Sequence, residues 1–366
     1  MDSPAAPALG TQSAEPPQIE VIGDFARVLR ENRISLLVST YDTGRVFILR
    51  AVGNGINVHF ATYSRAMGIA ASARSIAIGS FVAIHELYNM PALIPRLPPS
   101  EMNESPYDAC FVPRTDYYTG DIQIHEMAYA GEELWFVNTR FSCLCTLQSP
   151  YSFAPRWRPP FVMGLSGDDR CHLNGLAVVD GRPAFASAFA VTDEPAGWRP
   201  TKATSGIVME VPSGRIVAEG LSMPHSPRWH ANNLWVLDSG RGTIARVDQS
   251  TKRAEPFADL SGFTRGLGFF RNMAFIGLSR VRESNVFGGL PLTDRLAESE
   301  RFCGVQALNL STGKVEAALK FLTAVNEIFA VQVLPDMTFP AILDGRDELV
   351  QTAYALSPQA LAQVRQ

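Results

Sequence analysis

The sequence predicts an all-β fold, a single six-bladed β-propeller whose N-terminal strands close the last blade. Three observations carry that expectation: a two-part apolar pattern that recurs six times, turn signals at corresponding places between the repeats, and a composition suited to many short strands.

Each repeat opens on an anchor residue and a first apolar run. A polar turn follows, and the second run begins nine residues after the anchor. The clearest copies are His125-Glu-Met-Ala-Tyr before Leu134, Asn174-Gly-Leu-Ala-Val before Pro183, and His225-Ser-Pro-Arg-Trp before Leu234. Thr264-Arg-Gly-Leu-Gly before Met273 and Met67-Gly-Ile-Ala-Ala before Ile76 complete five copies, and a weaker sixth runs from Ile328 to Met337. The anchors lie 39 to 64 residues apart, near the ~40–50 residue period of four-stranded blades with insertions in two of them.

The turn signals are Tyr41-Asp-Thr-Gly-Arg, Val211-Pro-Ser-Gly-Arg, Val247-Asp-Gln-Ser-Thr-Lys and Asn309-Leu-Ser-Thr-Gly-Lys, each between two apolar, β-branched runs. Gly, Asp and Ser supply the turn geometry of outer-strand hairpins. The copy at Tyr41 precedes the first inner strand, which implies that the N-terminal strands complete the last blade. A two-sheet sandwich with accidental spacing is the competing arrangement.

The hydrophobic fraction of 46% supports a large core, and 28 Gly with 25 Pro suit a turn-rich fold. Net charge is −4, which argues against a nucleic-acid binder, normally marked by a basic face. No apolar stretch is long enough to span a bilayer. Five cysteines are an odd number in a long chain, so a disulfide framework is not expected and the cytoplasm is the natural compartment.

Residues 1–20 read as a disordered leader, residues 21–345 as the propeller and residues 346–366 as a helical tail. Within the propeller segment, Phe25 to Asn32 carries a helix signal, and Pro91 to Pro113 reads as a long loop and lid candidate.

Four of the six histidines, His125, His172, His225 and His230, fall near blade starts. Inner strands of a propeller line its channel, so their first residues ring one mouth. His125 and His225 hold the same repeat position, and Asn174 holds it in the blade between them. His172 and Asn174 are two apart and would share a strand face. Three imidazoles with a carboxylate can enclose a divalent transition metal (zinc, iron or copper) and leave a position for water or substrate. Capping of strand ends, or a metal-free polar site, would use the same residues.

Glu327 and Arg265 stand beside the sixth and fifth anchors. Glu283 and Asn285 precede a Gly-Gly pair in the longest interval and are candidates for a loop over the mouth. Glu126 is expected on the strand face opposite His125, as a supporting or inter-blade group. Cys143 and Cys145 read as core, and Cys171 as a possible thiolate ligand or nucleophile. Phosphate-cradling and serine-hydrolase motifs are absent.

The motifs Gly120-Asp-Ile-Gln-Ile-His-Glu-Met, Arg170-Cys-His-Leu-Asn-Gly-Leu-Ala, Met223-Pro-His-Ser-Pro-Arg-Trp and Glu283-Ser-Asn-Val-Phe-Gly-Gly-Leu-Pro resemble a bacterial family of conserved hypothetical proteins, a domain of unknown function. The resemblance spans roughly residues 34 to 340 and implies no activity. More remotely, the architecture resembles the six-bladed senescence-marker/gluconolactonase propellers, which bind an axial metal through Glu, Asn and Asp. It is also similar to the peptide-amidating lyase propeller, which holds zinc through axial histidines. Histidines in place of the acidic set count against a calcium-dependent lactonase.

The expected function is a metal-dependent lyase, hydrolase or oxidoreductase acting on a small polar or peptide substrate. His125, His172 and His225 would be ligands, Glu283 or Glu327 ligand or base, and Arg265, Asn174 and Asn285 substrate contacts. A non-catalytic propeller gripping a peptide, glycan or protein is the alternative, kept open by Trp135, Trp157, Trp229 and Trp235.

Overall fold

The computed structural model describes residues 16–99, 107–280 and 289–364. Six small antiparallel sheets stand around one axis, each running outward from an inner strand. Numbered by chain order, the inner strands of blades 1 to 6 are Ile69–Ala71, Ile124–Ala130, Leu173–Val179, Pro224–His230, Phe263–Phe270 and Ile328–Pro335. Each lies beside the next, and the sixth returns to the first. All six anchors fall within two residues of an inner-strand start. The second apolar runs of the first five copies form the second strands of blades 1 to 5.

The sixth copy differs. The run expected to end at Met337 forms no second strand there. Blade 6 takes its second to fourth strands, Ile34–Thr40, Arg45–Val52 and Gly55–Thr62, from the start of the chain. Ring closure therefore replaces a local hairpin with a pairing between residues nearly three hundred positions apart. Beyond Met337, Pro340–Ile342 adds in parallel to the outer strand Ala109–Tyr118 of blade 1.

Other expected segments also shift. Strand Ile19–Gly23, inside the supposed leader at its start, pairs with the outer edge of blade 5. The loop expected from Pro91 to Pro113 contains a short 3-10 helix, Pro91–Arg96, and its last residues belong to strand Ala109–Tyr118. The tail forms two short helices, Glu348–Thr352 and Pro358–Leu361. The helix Phe25–Asn32 forms as expected. Asp24 caps its N-terminus, and Phe25, Val28 and Leu29 bury against the core of blades 5 and 6.

Five inner strands carry an extra residue against their neighbours, a β-bulge near the mouth. The bulges fall at His125–Glu126, at Asn174, at Ser226–Pro227, at Phe329 and at Arg265–Gly266. A bulge breaks the period-two alternation and re-aims side chains. The expectation that His125 and Glu126 simply face opposite ways therefore does not hold. At the last bulge the backbone needs Gly266: its φ is +82°, and a Cβ would stand 2.6 Å from the Val331 nitrogen of blade 6.

Below the mouth, Arg228 of blade 4 reaches across the axis to Glu126 of blade 2. Two guanidinium nitrogens donate to the two carboxylate oxygens, each at 3.0 Å. The same guanidinium donates to the carbonyls of Leu176 in blade 3 (3.2 Å) and Leu267 in blade 5 (3.0 Å). One side chain thus ties four blades, and Glu126 is an inter-blade anchor.

Removing one member of a buried pair strands the other charge, at a cost of about 3–5 kcal/mol. Arg228→Met is therefore expected to lower unfolding free energy by about that much. The double variant Glu126→Leu with Arg228→Met should recover a large part of it, read from urea unfolding. An Arg228→Met protein as stable as wild type would contradict the tie.

Candidate functional site

Each of three histidines reaches the mouth by a different local device, and each has its Nδ1 occupied. His125 sits in the blade 2 bulge, with Nδ1 3.1 Å from the Gln123 carbonyl and 2.9 Å from the Thr139 hydroxyl. Thr139 gives its one proton to the Leu173 carbonyl of blade 3 at 2.6 Å. Its oxygen must therefore accept from Nδ1–H, and the neutral ring keeps its lone pair on Nε2.

In blade 4, His225 places Nδ1 3.0 Å from the Ser239 hydroxyl. His172, at a left-handed φ of 51° just before the blade 3 inner strand, places Nδ1 2.8 and 3.0 Å from the oxygens of Asp169. Trp198 donates its indole N–H to the same carboxylate at 3.1 Å.

The His125 and His172 rings meet edge to face at 4.8 Å. Phe189 stacks on His172 at 4.4 Å and touches His225 at 5.3 Å. Among the described residues no protein group hydrogen-bonds any of the three Nε2 atoms, and no three His, Cys, Asp or Glu side chains are grouped to hold a metal ion. The donor chemistry suits a metal, but the convergence expected of three ligands is not present.

Burial pushes the His125 and His225 imidazoles well below the ordinary histidine value. The nearby Arg265 charge acts in the same direction, followed by His172. Both rings are neutral near pH 7, the form that accepts a proton or a metal.

A cavity of about 190 Å³ opens at the mouth, lined by His125, Arg265, Glu327, Phe329, Tyr41 and Arg65 together with Met67, Phe81, Asp121 and Gln123. Arg265 rests on Phe329, its central carbon 3.5 Å from the ring centroid. Burial lowers the guanidinium to about 10, against the opposing pull of Glu327. Asp42 accepts from the backbone and side-chain nitrogens of Asn326 at 2.8 and 3.1 Å, fixing the turn that presents Glu327. Asp121 is paired to Arg140 at 2.6 Å.

Of the residues expected at the site, His125, Arg265 and Glu327 line the cavity, and His172 adjoins it through His125. His225 is reached only through the aromatic Phe189. Asn174 does not line the cavity: it is buried, with its side-chain oxygen accepting from Ser187 at 2.6 Å. Glu283 and Asn285 lie outside the described residues. His230 sits at the far end of its strand, stacked on Phe269 and bonded to the Arg271 carbonyl, away from the mouth.

Cys171 is fully buried, its thiol pushed up to about 12 by burial, a poor nucleophile. Cys143 and Cys145 are packed in the core 3.4 Å apart. Trp235 is core as well. The tryptophan at the mouth is Trp198, which was not anticipated. Thr139, Ser239, Asp169, Tyr41 and Arg65 were also missed. For the two hydroxyls a signal existed, since one follows His125 and the other His225 at the same spacing of fourteen residues.

A family model described as Domain of unknown function (DUF4915) matches residues 23–343. No curated protein matches the sequence. Solved structures similar to this chain include a nidogen/laminin complex (10% identity, TM-score 0.49, covering 83% of this chain and 99% of that one). Another is a catalytically inactive virginiamycin B lyase from Staphylococcus aureus with quinupristin (10% identity, TM-score 0.40, covering 83% and 98%). Likeness at this level says nothing of function.

Depressed imidazoles have a sign that can be measured. Below the ordinary histidine value of about 6.5, the unfolded chain binds protons that folded His125 and His225 refuse, so stability rises with pH across that range. Stability should be fully present above about pH 6.5 and fall as the pH drops, by up to about 1.4 kcal/mol per pH unit for each ring. His125→Gln with His225→Gln should flatten this slope in urea titrations. An unchanged slope would place the proton uptake elsewhere.

Proposed function

The chain belongs to the family described as Domain of unknown function (DUF4915), and from the chemistry of its mouth we propose that it is an enzyme acting on a small polar molecule by proton transfer. One observation carries the reading: imidazoles pinned at Nδ1, with Nε2 lone pairs beside a cavity that also holds a guanidinium. A ring anchored through one nitrogen is preorganised to use the other.

In this reading His125, kept neutral by burial and by Arg265, accepts a proton from the substrate. His172 stands edge to face with it, its orientation set by the Asp169 carboxylate as in other acid–base pairs. Glu327 supplies a second carboxylate at the same cavity, and Arg265 stabilises charge that develops on the substrate. Lyase or hydrolase chemistry suits this set.

A second reading keeps His125, His172 and His225 as ligands of zinc, iron or copper, favoured by the Nε2 lone pairs of His125 and His172 on neighbouring blades, and it requires the three rings to converge further when metal binds. A bound metal would polarise a carbonyl or activate water. A peptide end, in place of a free small molecule, is compatible with either. A non-catalytic binding propeller draws support from the aromatic walls of Tyr41, Phe81 and Phe329. Five unpaired, buried thiols favour a cytoplasmic location, and among the described residues no helix is long and apolar enough to cross a membrane.

Two measurements test this. Incubating the protein with a small-molecule cell extract, followed by mass spectrometry, should show one compound consumed by wild type and spared by His125→Ala. Binding without consumption would move the assignment to the binding propeller. Elemental analysis of wild type against the His125/His172/His225 triple Ala variant decides the metal. Near-stoichiometric transition metal lost in the variant supports ligation, and none in wild type after reconstitution removes it.

A further inference from the structure

We propose that the mouth cavity takes a small carboxylate, received by Arg265 and Arg65 between the faces of Phe329, Phe81 and Tyr41. The inference rests on the reading of this mouth as a small-molecule site and names the class of its ligand.

A guanidinium has five N–H groups and no acceptor. Among the described residues, neither the Arg265 nor the Arg65 side chain donates a hydrogen bond to any protein group. Both instead lie on aromatic rings, Arg265 at 3.5 Å from the Phe329 centroid and Arg65 at 4.3 Å from that of Phe81. At 3.5 Å the central carbon is too close for an N–H edge to intervene, so the Arg265 guanidinium lies flat on its ring. A flat guanidinium has one face covered and its N–H edges open sideways, in its own plane.

Arg228 shows the contrast within the same channel. Its donors meet Glu126, Leu176 and Leu267. Arg228 is a satisfied structural cation, and Arg265 is one waiting for acceptors. Arg265 is half-buried, with donors open to the cavity, and a ligand that brings acceptors can meet them there.

Planar, in-plane acceptors two to a fork describe a carboxylate, the group that guanidinium matches in bidentate fashion. Charge agrees with this. Asp121 is compensated by Arg140, while Arg265 and Arg65 both line the cavity, so an anion is the ligand that suits it. A phosphate ordinarily looks for a nest of backbone N–H groups, where this cavity has aromatic walls.

Size limits the ligand: 190 Å³ is about six water volumes, room for an acid of modest size. His125 lines the same space, so the acid best placed to react carries an O–H or an acidic C–H within reach of its Nε2.

The test is calorimetric titration of full-length protein, at fixed ionic strength, with sodium benzoate, benzamide and inorganic phosphate as probes. Benzoate is expected to bind and benzamide not to, with benzoate affinity falling at least tenfold in Arg265→Gln and less in Arg265→Lys. Equal binding of benzoate and benzamide, phosphate binding in preference to benzoate, or benzoate affinity unchanged in Arg265→Gln would each overturn the inference. If Arg265→Gln does not fold, the comparison of benzoate with benzamide on wild type decides alone.

The two proposals fail separately. Benzoate binding that depends on Arg265, in a protein that consumes nothing from the extract, upholds the carboxylate site and removes the enzyme. Consumption of a neutral compound, with no benzoate binding, does the reverse.

Discussion

Closing the ring is the constraint on which everything else hangs. An open row of six sheets would leave unpaired edges, with their backbone donors and acceptors exposed to other chains. Here the inner strand of blade 6 comes from late in the sequence and its three partners from the beginning, in unbroken register from Ile34↔Pro335 to Ser39↔Ala330, with a one-residue bulge at Phe329 before Thr40↔Ile328. That pairing also assembles the mouth. It stacks Tyr41 on Phe329 at 6.0 Å and docks Asp42 on Asn326. The cavity draws Tyr41 and Arg65 from one end of the chain and Glu327 and Phe329 from the other. Closure therefore stabilises the fold and builds the site with the same hydrogen bonds.

Within the closed ring, hydroxyls at the ends of three second strands latch their blades to the next. Ser39 donates to the Met67 carbonyl, Thr139 to Leu173 and Ser279 to Ile328. Thr139 does two jobs, since its oxygen also accepts from His125. The tautomer of that imidazole is thus coupled to a structural bond between blades 2 and 3. Small inner-strand bulges then decide which side chains turn to the axis. This arrangement concentrates satisfied polar groups below the mouth, around Arg228 and Glu126, and open ones at it, where Arg265 and His125 line the cavity.

Much of the architecture was legible in the sequence because propeller blades repeat. Recurring anchors with a fixed nine-residue offset survive insertions, and each marked an inner strand. His125, Arg265 and Glu327 were picked out by their position beside those anchors, and the structure brings them to one cavity. Reasoning from strand alternation failed for His172 and Asn174, and for His125 with Glu126. A bulge adds one residue and leaves no composition signal strong enough to read. Tyr41, Arg65 and Trp198 were missed because they come from turns and loops, whose place at the mouth depends on closure and on long-range packing.

What the sequence by itself determined is periodic and local: six blades, their inner strands, the capped helix at Phe25, and the histidines at matching repeat positions. Tertiary structure alone decided which of those polar residues are satisfied and which stand open. Arg228 and Arg265 follow equivalent strand starts, yet one is tied to four blades while the other, among the described residues, donates no hydrogen bond and lies on an aromatic face. The physical reason is that a hydrogen bond requires its partner within about 3 Å and in line. That condition depends on where distant segments finally lie, and no short stretch of sequence encodes it.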